Sequence, residues 1–142
     1  MSEHKLRISA KGFFYNEEGK ILLIMGQGSD TTHTYWATPG GGVEENENLI
    51  SAVERELTEE TGYEGKANGI VFIQDYINPK SGRRSLEIFF QGEITSKEQL
   101  PNIEPDHKCK FFTEEEFQNI DFRPNKVNPF KLKSEINYTS SL

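Results

Sequence analysis

The pattern of apolar and polar residues predicts strands on both sides of one central helix. Partial alternation over Leu6–Tyr15 and an apolar run at residues 20–25, separated by a turn at residues 16–19, predict a β-hairpin. Apolar periodicity from about residue 47 to residue 61 predicts a helix, with Gly62 placed to end it. Further strands are predicted at residues 69–77, 85–94 and 108–112.

Polar and turn-forming residues separate these elements. Residues 26–34 predict a loop, and a short apolar piece at residues 35–37 precedes a proline-glycine turn at residues 39–42. The capping-box pattern that starts at Thr113 predicts a late helix. A last helix is predicted at residues 125–133.

Strands that flank a helix indicate an α/β fold class with a sandwich architecture. At 142 residues the chain is long enough for one ordinary core, so a single domain over residues 1–133 is predicted. Residues 134–142 are predicted to be a loose C-terminal tail.

Composition and charge narrow the choice of partners. A net charge of −7 argues against a polymeric nucleic acid, because phosphate-backbone binding needs a basic face. The longest aliphatic run, at residues 21–25, is too short for a signal or membrane segment. The single cysteine, Cys109, excludes an intramolecular disulfide and a cysteine zinc cluster. These features predict a cytoplasmic protein.

The central helix carries an unusual amount of negative charge. Seven glutamates lie between residues 44 and 60, with Arg55 as the one cation among them. A helical projection places Glu56, Glu59 and Glu60 on one arc, beside the apolar stripe that should face the sheet. Such a face is either simply solvated or a site for a cation, and the grouping favours a cation. Oxygen ligands of this kind suit Mg²⁺ or Mn²⁺.

The glycines and charged residues around this helix resemble the signature box of the Nudix hydrolases. The segment has Gly41, five residues, Glu47, seven residues, and then RELTEETGY at residues 55–63. Every fixed position of that box is matched. Tyr63 fills a slot in which the family has a bulky aliphatic residue, and that slot has no chemical role.

The resemblance implies a Nudix-type α/β/α sandwich with a mixed sheet and a loop-helix-loop catalytic motif. It implies that the metal ligands are Glu56, Glu59, Glu60 and the Gly40 carbonyl. It also implies that Glu59 orients or deprotonates the attacking water. Glu47 and Arg55 would form a structural pair, and the catalytic set would comprise Glu59, Glu56, Glu60 and Arg55. Gly41 and Gly62 would have structural roles in the box.

Repulsion among these carboxylates predicts a raised pKa for at least one of them before metal binds. Other members of the family recruit a general base from outside the box. The candidates here are Glu87, Glu93 and Glu104, each of which could equally be an ordinary surface or strand residue.

Substrate contacts are weakly marked in the sequence. Tyr35 and Trp36 could stack a base, although Trp36 also suits a core position. His33 lies in the loop before the box. Lys80, Arg83 and Arg84 could reach a distal phosphate or form a solvated hairpin tip.

The resemblance implies metal-dependent hydrolysis of a pyrophosphate bond in a nucleoside diphosphate linked to another group. ADP-ribose-like compounds, nucleoside triphosphates and dinucleoside polyphosphates all remain open, and Pro79 only approximates the mark of the ADP-ribose subclass. The main alternative is a catalytically silent Nudix-fold module that binds nucleotides or regulates a partner. An isopentenyl diphosphate isomerase fits poorly, because Cys109 is the only cysteine. A homodimer is possible.

Overall fold

The computed structural model describes residues 6–26, 33–101, 108–133 and 136–142. Within these ranges the chain forms seven strands, two α-helices and one 3₁₀ turn. The strands are β1 (Leu6–Tyr15), β2 (Ile21–Met25), β3 (Trp36–Ala37), β4 (Gly40–Gly42), β5 (Gly65–Ile77), β6 (Arg84–Ile94) and β7 (Cys109–Phe112). The helices are α1 (Leu49–Thr61) and α2 (Glu114–Phe117), and the 3₁₀ turn is Pro129–Lys131.

The strands form one mixed sheet. Its main path is β3-β2-β1-β6-β5, with β4 paired to β1 and β7 paired to β2. Strand β1 runs parallel to β6, with Leu6 opposite Arg84 and Tyr15 opposite Glu93. Strands β5 and β6 are antiparallel neighbours, and β5 ends the path.

Each face of the sheet carries its own apolar core. Because side chains alternate along a strand, Ala10 and Phe14 point to one face and Phe13 points to the other. The first two pack with Ala52, Val53 and Leu57 of α1. Phe13 packs on the opposite face, together with aromatic residues that include Phe117 of α2. This arrangement confirms the α/β/α sandwich.

Helix α1 begins two residues later than the sequence predicts. The side chain of Asn48 accepts a hydrogen bond from the Ser51 N–H at 2.8 Å, which makes Asn48 the N-cap. At the other end, Gly62 has φ +76° and donates its N–H to the Thr58 carbonyl, as predicted for a C-cap glycine.

Two local predictions differ from the structure. Residues 40–42 form strand β4 along β1 rather than a turn, because backbone pairing to Ser9, Ala10 and Lys11 is available there. The helix predicted at residues 125–133 is only the 3₁₀ turn. Pro129 has no N–H for a helix interior and instead sits at the start of that turn.

The C-terminal segment contacts the rest of the fold. Ile136 forms an antiparallel bridge with Ile70, and the ring of Tyr138 packs edge-on against Phe90. These contacts lie in the part of the predicted tail that the structure describes, residues 136–142, while residues 134–135 lie outside the described residues. In the described part of the chain, no helix combines the length and apolar character needed to cross a membrane.

Candidate active site

Arg55 connects the acidic residues of the box segment. Its Nε and Nη2 donate to the two oxygens of Glu47 at 2.7 and 3.0 Å. Its Nη1 donates to both Glu56 and Glu59, at 3.1 Å each. The bidentate bond holds the pKa of Glu47 below its usual range. The side chains of α1 are thereby tied to the loop that precedes the helix.

Glu60 has the Gly40 N–H as its hydrogen-bond donor and is almost fully buried. Its Oε1 accepts the Gly40 N–H at 2.8 Å. The pKa of Glu60 is raised to about 7, mainly by burial and also by the nearby Glu56, against the lowering effect of the Gly40 hydrogen bond. A raised pKa was predicted from carboxylate repulsion. The direction is confirmed, but burial is the larger cause.

The glycines of β4 allow the strand to lie against α1. A Cβ built on Gly41 would lie 2.9 Å from Cδ of Glu56. One on Gly40, which has φ +146°, would lie 2.4 Å from the Ala10 carbonyl oxygen. Side chains at either position would therefore displace the carboxylate or the neighbouring strand.

The donor chemistry at this point suits a hard divalent cation. Three carboxylates and the backbone of β4 provide only oxygen ligands, which Mg²⁺ and Mn²⁺ prefer. As the side chains stand, no group of three or more acidic, histidine or cysteine residues within the described ranges converges to hold a metal. The Arg55 guanidinium already bridges Glu56 and Glu59, so a metal would compete with Arg55 for these oxygens.

A cavity of about 510 Å³ adjoins the box segment. Glu60, Gly40 and Gly41 line one part of it. Its remaining polar lining includes three cationic side chains that were not predicted from the sequence: Arg7, Lys11 and Arg123. A signal for two of them was present in β1, where Arg7, Ser9 and Lys11 alternate with Ile8 and Ala10 and so share one face of the strand.

One candidate base lies in this cavity. Glu87 is part of its lining and pairs with Lys11 at 3.5 Å. Lys11 also acts electrostatically on Glu60, where it lowers the pKa. Glu93 is exposed near the other end of β6 and does not line the cavity. Glu104 lies outside the described residues.

The aromatic residues before the box take different positions. Tyr35 lines the cavity, and the Arg123 guanidinium lies over its ring at 4.0 Å from the centroid. Trp36 instead packs edge-on against Phe112 in the second core, with ring centroids 4.8 Å apart. The prediction that Trp36 stacks a base is therefore replaced by a packing role.

The remaining predicted contacts lie outside the cavity lining. His33 bonds to Asp121 at 2.8 Å, next to Arg123 at 3.4 Å. Arg84 forms a two-point ion pair with Asp75 on β5. Arg83 is exposed at the hairpin tip. Neither arginine is among the residues that line the cavity.

Comparison with known proteins identifies the family. The NUDIX domain family matches residues 5–132. An RNA pyrophosphohydrolase of Sphingopyxis alaskensis is 42% identical over 50 residues, which cover 35% of this chain and 30% of that protein. The chain thus matches less than a third of the length of that relative.

Solved structures share the fold at low identity. A MutT protein from Methanosarcina mazei has a TM-score of 0.64 and 24% identity, covering 85% of this chain and 86% of its own. A Nudix hydrolase from Nitrosomonas europaea has a TM-score of 0.68 and 22% identity, covering 81% and 77%. With the box geometry and the match over residues 5–132, these findings show that the chain belongs to the Nudix hydrolase family.

Proposed function

We propose that this protein is a Mg²⁺-dependent pyrophosphohydrolase that cleaves a nucleoside diphosphate linked to a further group. The observation that carries the proposal is a single cavity lined by both box residues and cationic side chains. Glu60, Gly40 and Gly41 line it on the box side, and its lining also includes three cationic side chains, those of Arg7, Lys11 and Arg123. A cation site beside additional cations suits a ligand with several phosphate charges.

The residues that would hold the metal are Glu56, Glu59, Glu60 and the Gly40 carbonyl. Bound Mg²⁺, or Mn²⁺ in its place, supplies charge neutralisation at the phosphates and a lowered pKa for water. Arg55 stays bonded to Glu47 through Nε and Nη2. Its role is to tie Glu56 and Glu59 on α1 to the loop that contains Glu47.

The other lining residues bind and orient the substrate. Arg7 contacts phosphate oxygens, and Lys11 stabilises negative charge that develops during cleavage. Glu59 or Glu87 accepts the proton of the attacking water. Glu87 has support from position, because it lines the same cavity as Glu60 and its ion-pair partner Lys11 also acts electrostatically on Glu60.

The nucleoside end of the substrate lies at Arg123 and Tyr35. The Arg123 guanidinium carbon lies 4.0 Å from the centroid of the Tyr35 ring, and its Nη2 donates to Asp121 at 3.4 Å. This leaves the arginine, rather than Tyr35, as the flat surface for a base. The base-stacking role predicted for Tyr35 thus passes to Arg123.

The test is a substrate panel with and without Mg²⁺. It contains ADP-ribose, diadenosine polyphosphates, deoxynucleoside triphosphates, nucleotide sugars and a 5′-triphosphorylated RNA oligonucleotide. The last is included because the Sphingopyxis relative is an RNA pyrophosphohydrolase. Products are separated by chromatography, and Glu60→Gln is assayed in parallel.

We expect cleavage of at least one small nucleotide that requires metal and falls at least a hundredfold in Glu60→Gln. Binding without cleavage across the panel would instead favour the silent nucleotide-binding module. Cleavage of the RNA alone would overturn the small-molecule substrate class.

A further inference from the structure

The C-terminal segment reaches the first turn of the helix that carries the box carboxylates. The Tyr138 hydroxyl accepts the Leu49 N–H at 3.1 Å. The Asn48 side-chain amide donates to the Leu142 carbonyl at 3.4 Å. Leu49 is the first residue of α1, and its N–H has no partner within the helix. The tail therefore supplies an acceptor that the helix itself lacks.

Tyr138 is anchored to the core as well as to the helix. Its ring packs at 88° against Phe90, with centroids 5.4 Å apart. Phe90 is fully buried in the core cluster that contains Ala52, Val53 and Leu57 of α1. Ile136, two residues earlier, is bridged to Ile70 on the sheet. One side chain thus links the sheet to the start of α1.

A chain of short contacts leads from that point to the carboxylates. Asn48, the N-cap, directly follows Glu47, and Glu47 holds Arg55 by two hydrogen bonds. The Nη1 of Arg55 donates to both Glu56 and Glu59. A shift in the first turn of α1 would move Glu47 and, through Arg55, both carboxylates.

We propose that Tyr138 is a positioning residue for the divalent-cation site: its hydroxyl fixes the first turn of α1, and Glu47 and Arg55 transmit that position to Glu56 and Glu59. The inference rests on the proposed metal site. It adds to the metal site a positioning residue that lies beyond residue 132, where the family match ends.

The experiment measures Mn²⁺ affinity of the full chain by electron paramagnetic resonance, which needs no turnover. Tyr138→Phe keeps the ring against Phe90 and removes only the acceptor. Tyr15→Phe is the matched control, because the Tyr15 hydroxyl donates to the Pro129 carbonyl at 2.7 Å on the other side of the molecule. Circular dichroism melting of both variants checks that they fold.

We expect Tyr138→Phe to weaken Mn²⁺ binding by roughly fivefold, the effect of one lost hydrogen bond, while Tyr15→Phe stays within twofold of wild type. In turnover, kcat should fall with little change in the nucleotide KM, since Tyr138 does not line the cavity. Equal affinity in Tyr138→Phe and wild type would overturn the role of Tyr138, and so would an equal loss in Tyr15→Phe. Absence of Mn²⁺ binding by the wild type would overturn the metal site, and this inference with it.

Discussion

At the scale of single residues, Arg55 explains how so many glutamates share one short segment. It lies within ion-pair distance of Glu44, Glu47, Glu56 and Glu59. Like charges three or four residues apart on a helix cost roughly 0.2–0.5 kcal/mol per pair. One guanidinium shared among four carboxylates offsets several such pairs. Glu60 is not one of these four carboxylates; it is buried and accepts the Gly40 N–H.

Glu60 should therefore destabilise the metal-free protein when it is ionised. Its pKa is about 7 in the folded protein and near the ordinary 4.5 when unfolded. Between these values the folded state holds a proton that the unfolded state has released. The contribution of Glu60 to the free energy of unfolding thus falls as pH rises from about 4.5 to 7, by at most about 3 kcal/mol.

Glu60→Gln removes this titration and keeps an acceptor for Gly40. With a chelator present, the variant should be more stable than wild type at pH 8, with a smaller difference at pH 5. Urea unfolding at pH 5 and pH 8 measures the free energy of unfolding of both proteins. A Glu60→Gln protein less stable than wild type at pH 8 would contradict the assignment.

Glu87 is the candidate general base that lies in the cavity lining. Glu87→Gln removes the carboxylate that lines the cavity beside Lys11. If Glu87 accepts the proton of water, kcat should fall roughly 10²- to 10⁴-fold with KM little changed. Glu93→Gln is the control, because Glu93 is an exposed residue of the same strand. Activity within tenfold of wild type in Glu87→Gln would leave Glu59 as the base.

At the scale of elements, the site depends on how closely β4 lies against α1. The N-cap at Asn48 and the C-cap at Gly62 set the ends of the helix. Backbone pairing of β4 to β1 sets the strand. Gly41 allows the close approach of β4 to α1, because it has no side chain and so leaves room for the carboxylate of Glu56.

Gly41→Ala tests this approach. The backbone of Gly41 does not have a positive φ, so alanine introduces no strain there. Its Cβ would lie 2.9 Å from the Glu56 carboxylate and displace it. We expect kcat to fall by roughly tenfold or more, with weaker Mn²⁺ binding and a nearly unchanged melting temperature. Gly42→Ala is the control, since its Cβ would meet Arg7 instead, and Mn²⁺ affinity should then stay at the wild-type value.

At the scale of the whole molecule, an acidic chain encloses a cavity with cations in its lining. The net charge is −7, whereas Arg7, Lys11 and Arg123 all face the cavity. Lys11 is partly neutralised by Glu87 and Arg123 by Asp121. The fold therefore places cationic side chains at one cavity of a negatively charged chain, which suits small anions better than a long polyanion.

Metal should stabilise the entire fold, because it binds ligands that only the folded state brings together. Mg²⁺ at about 100 times its dissociation constant should add about 2.7 kcal/mol, a rise in melting temperature on the order of 10 °C. Scanning calorimetry with and without Mg²⁺, at equal ionic strength, measures the shift. Glu60→Gln should lose most of it. A wild-type melting temperature that does not respond to Mg²⁺ would contradict the metal site.

The sequence by itself determined the elements and the identity of the box. Strand alternation, the Gly62 cap and the spacing from Gly41 to Tyr63 are local features, and local backbone preferences and side-chain periodicity are enough to predict them. Helical geometry alone predicted a common face for Glu56, Glu59 and Glu60, but among the described residues their carboxylates do not converge as they stand. Errors in the elements occurred where backbone pairing or capping decided the outcome, as at β4 and the start of α1, and at residues 125–133, where Pro129 starts only a 3₁₀ turn.

Only the tertiary structure decided which residues from distant elements meet. Lys11 and Glu87 come together because β1 and β6 pair in parallel across more than 70 positions of sequence. Trp36 entered the core and Arg123 came to lie over Tyr35. Tyr138 reached the start of α1 from outside the family match. These contacts depend on strand order and on packing across the sheet, neither of which leaves a periodic trace in the sequence.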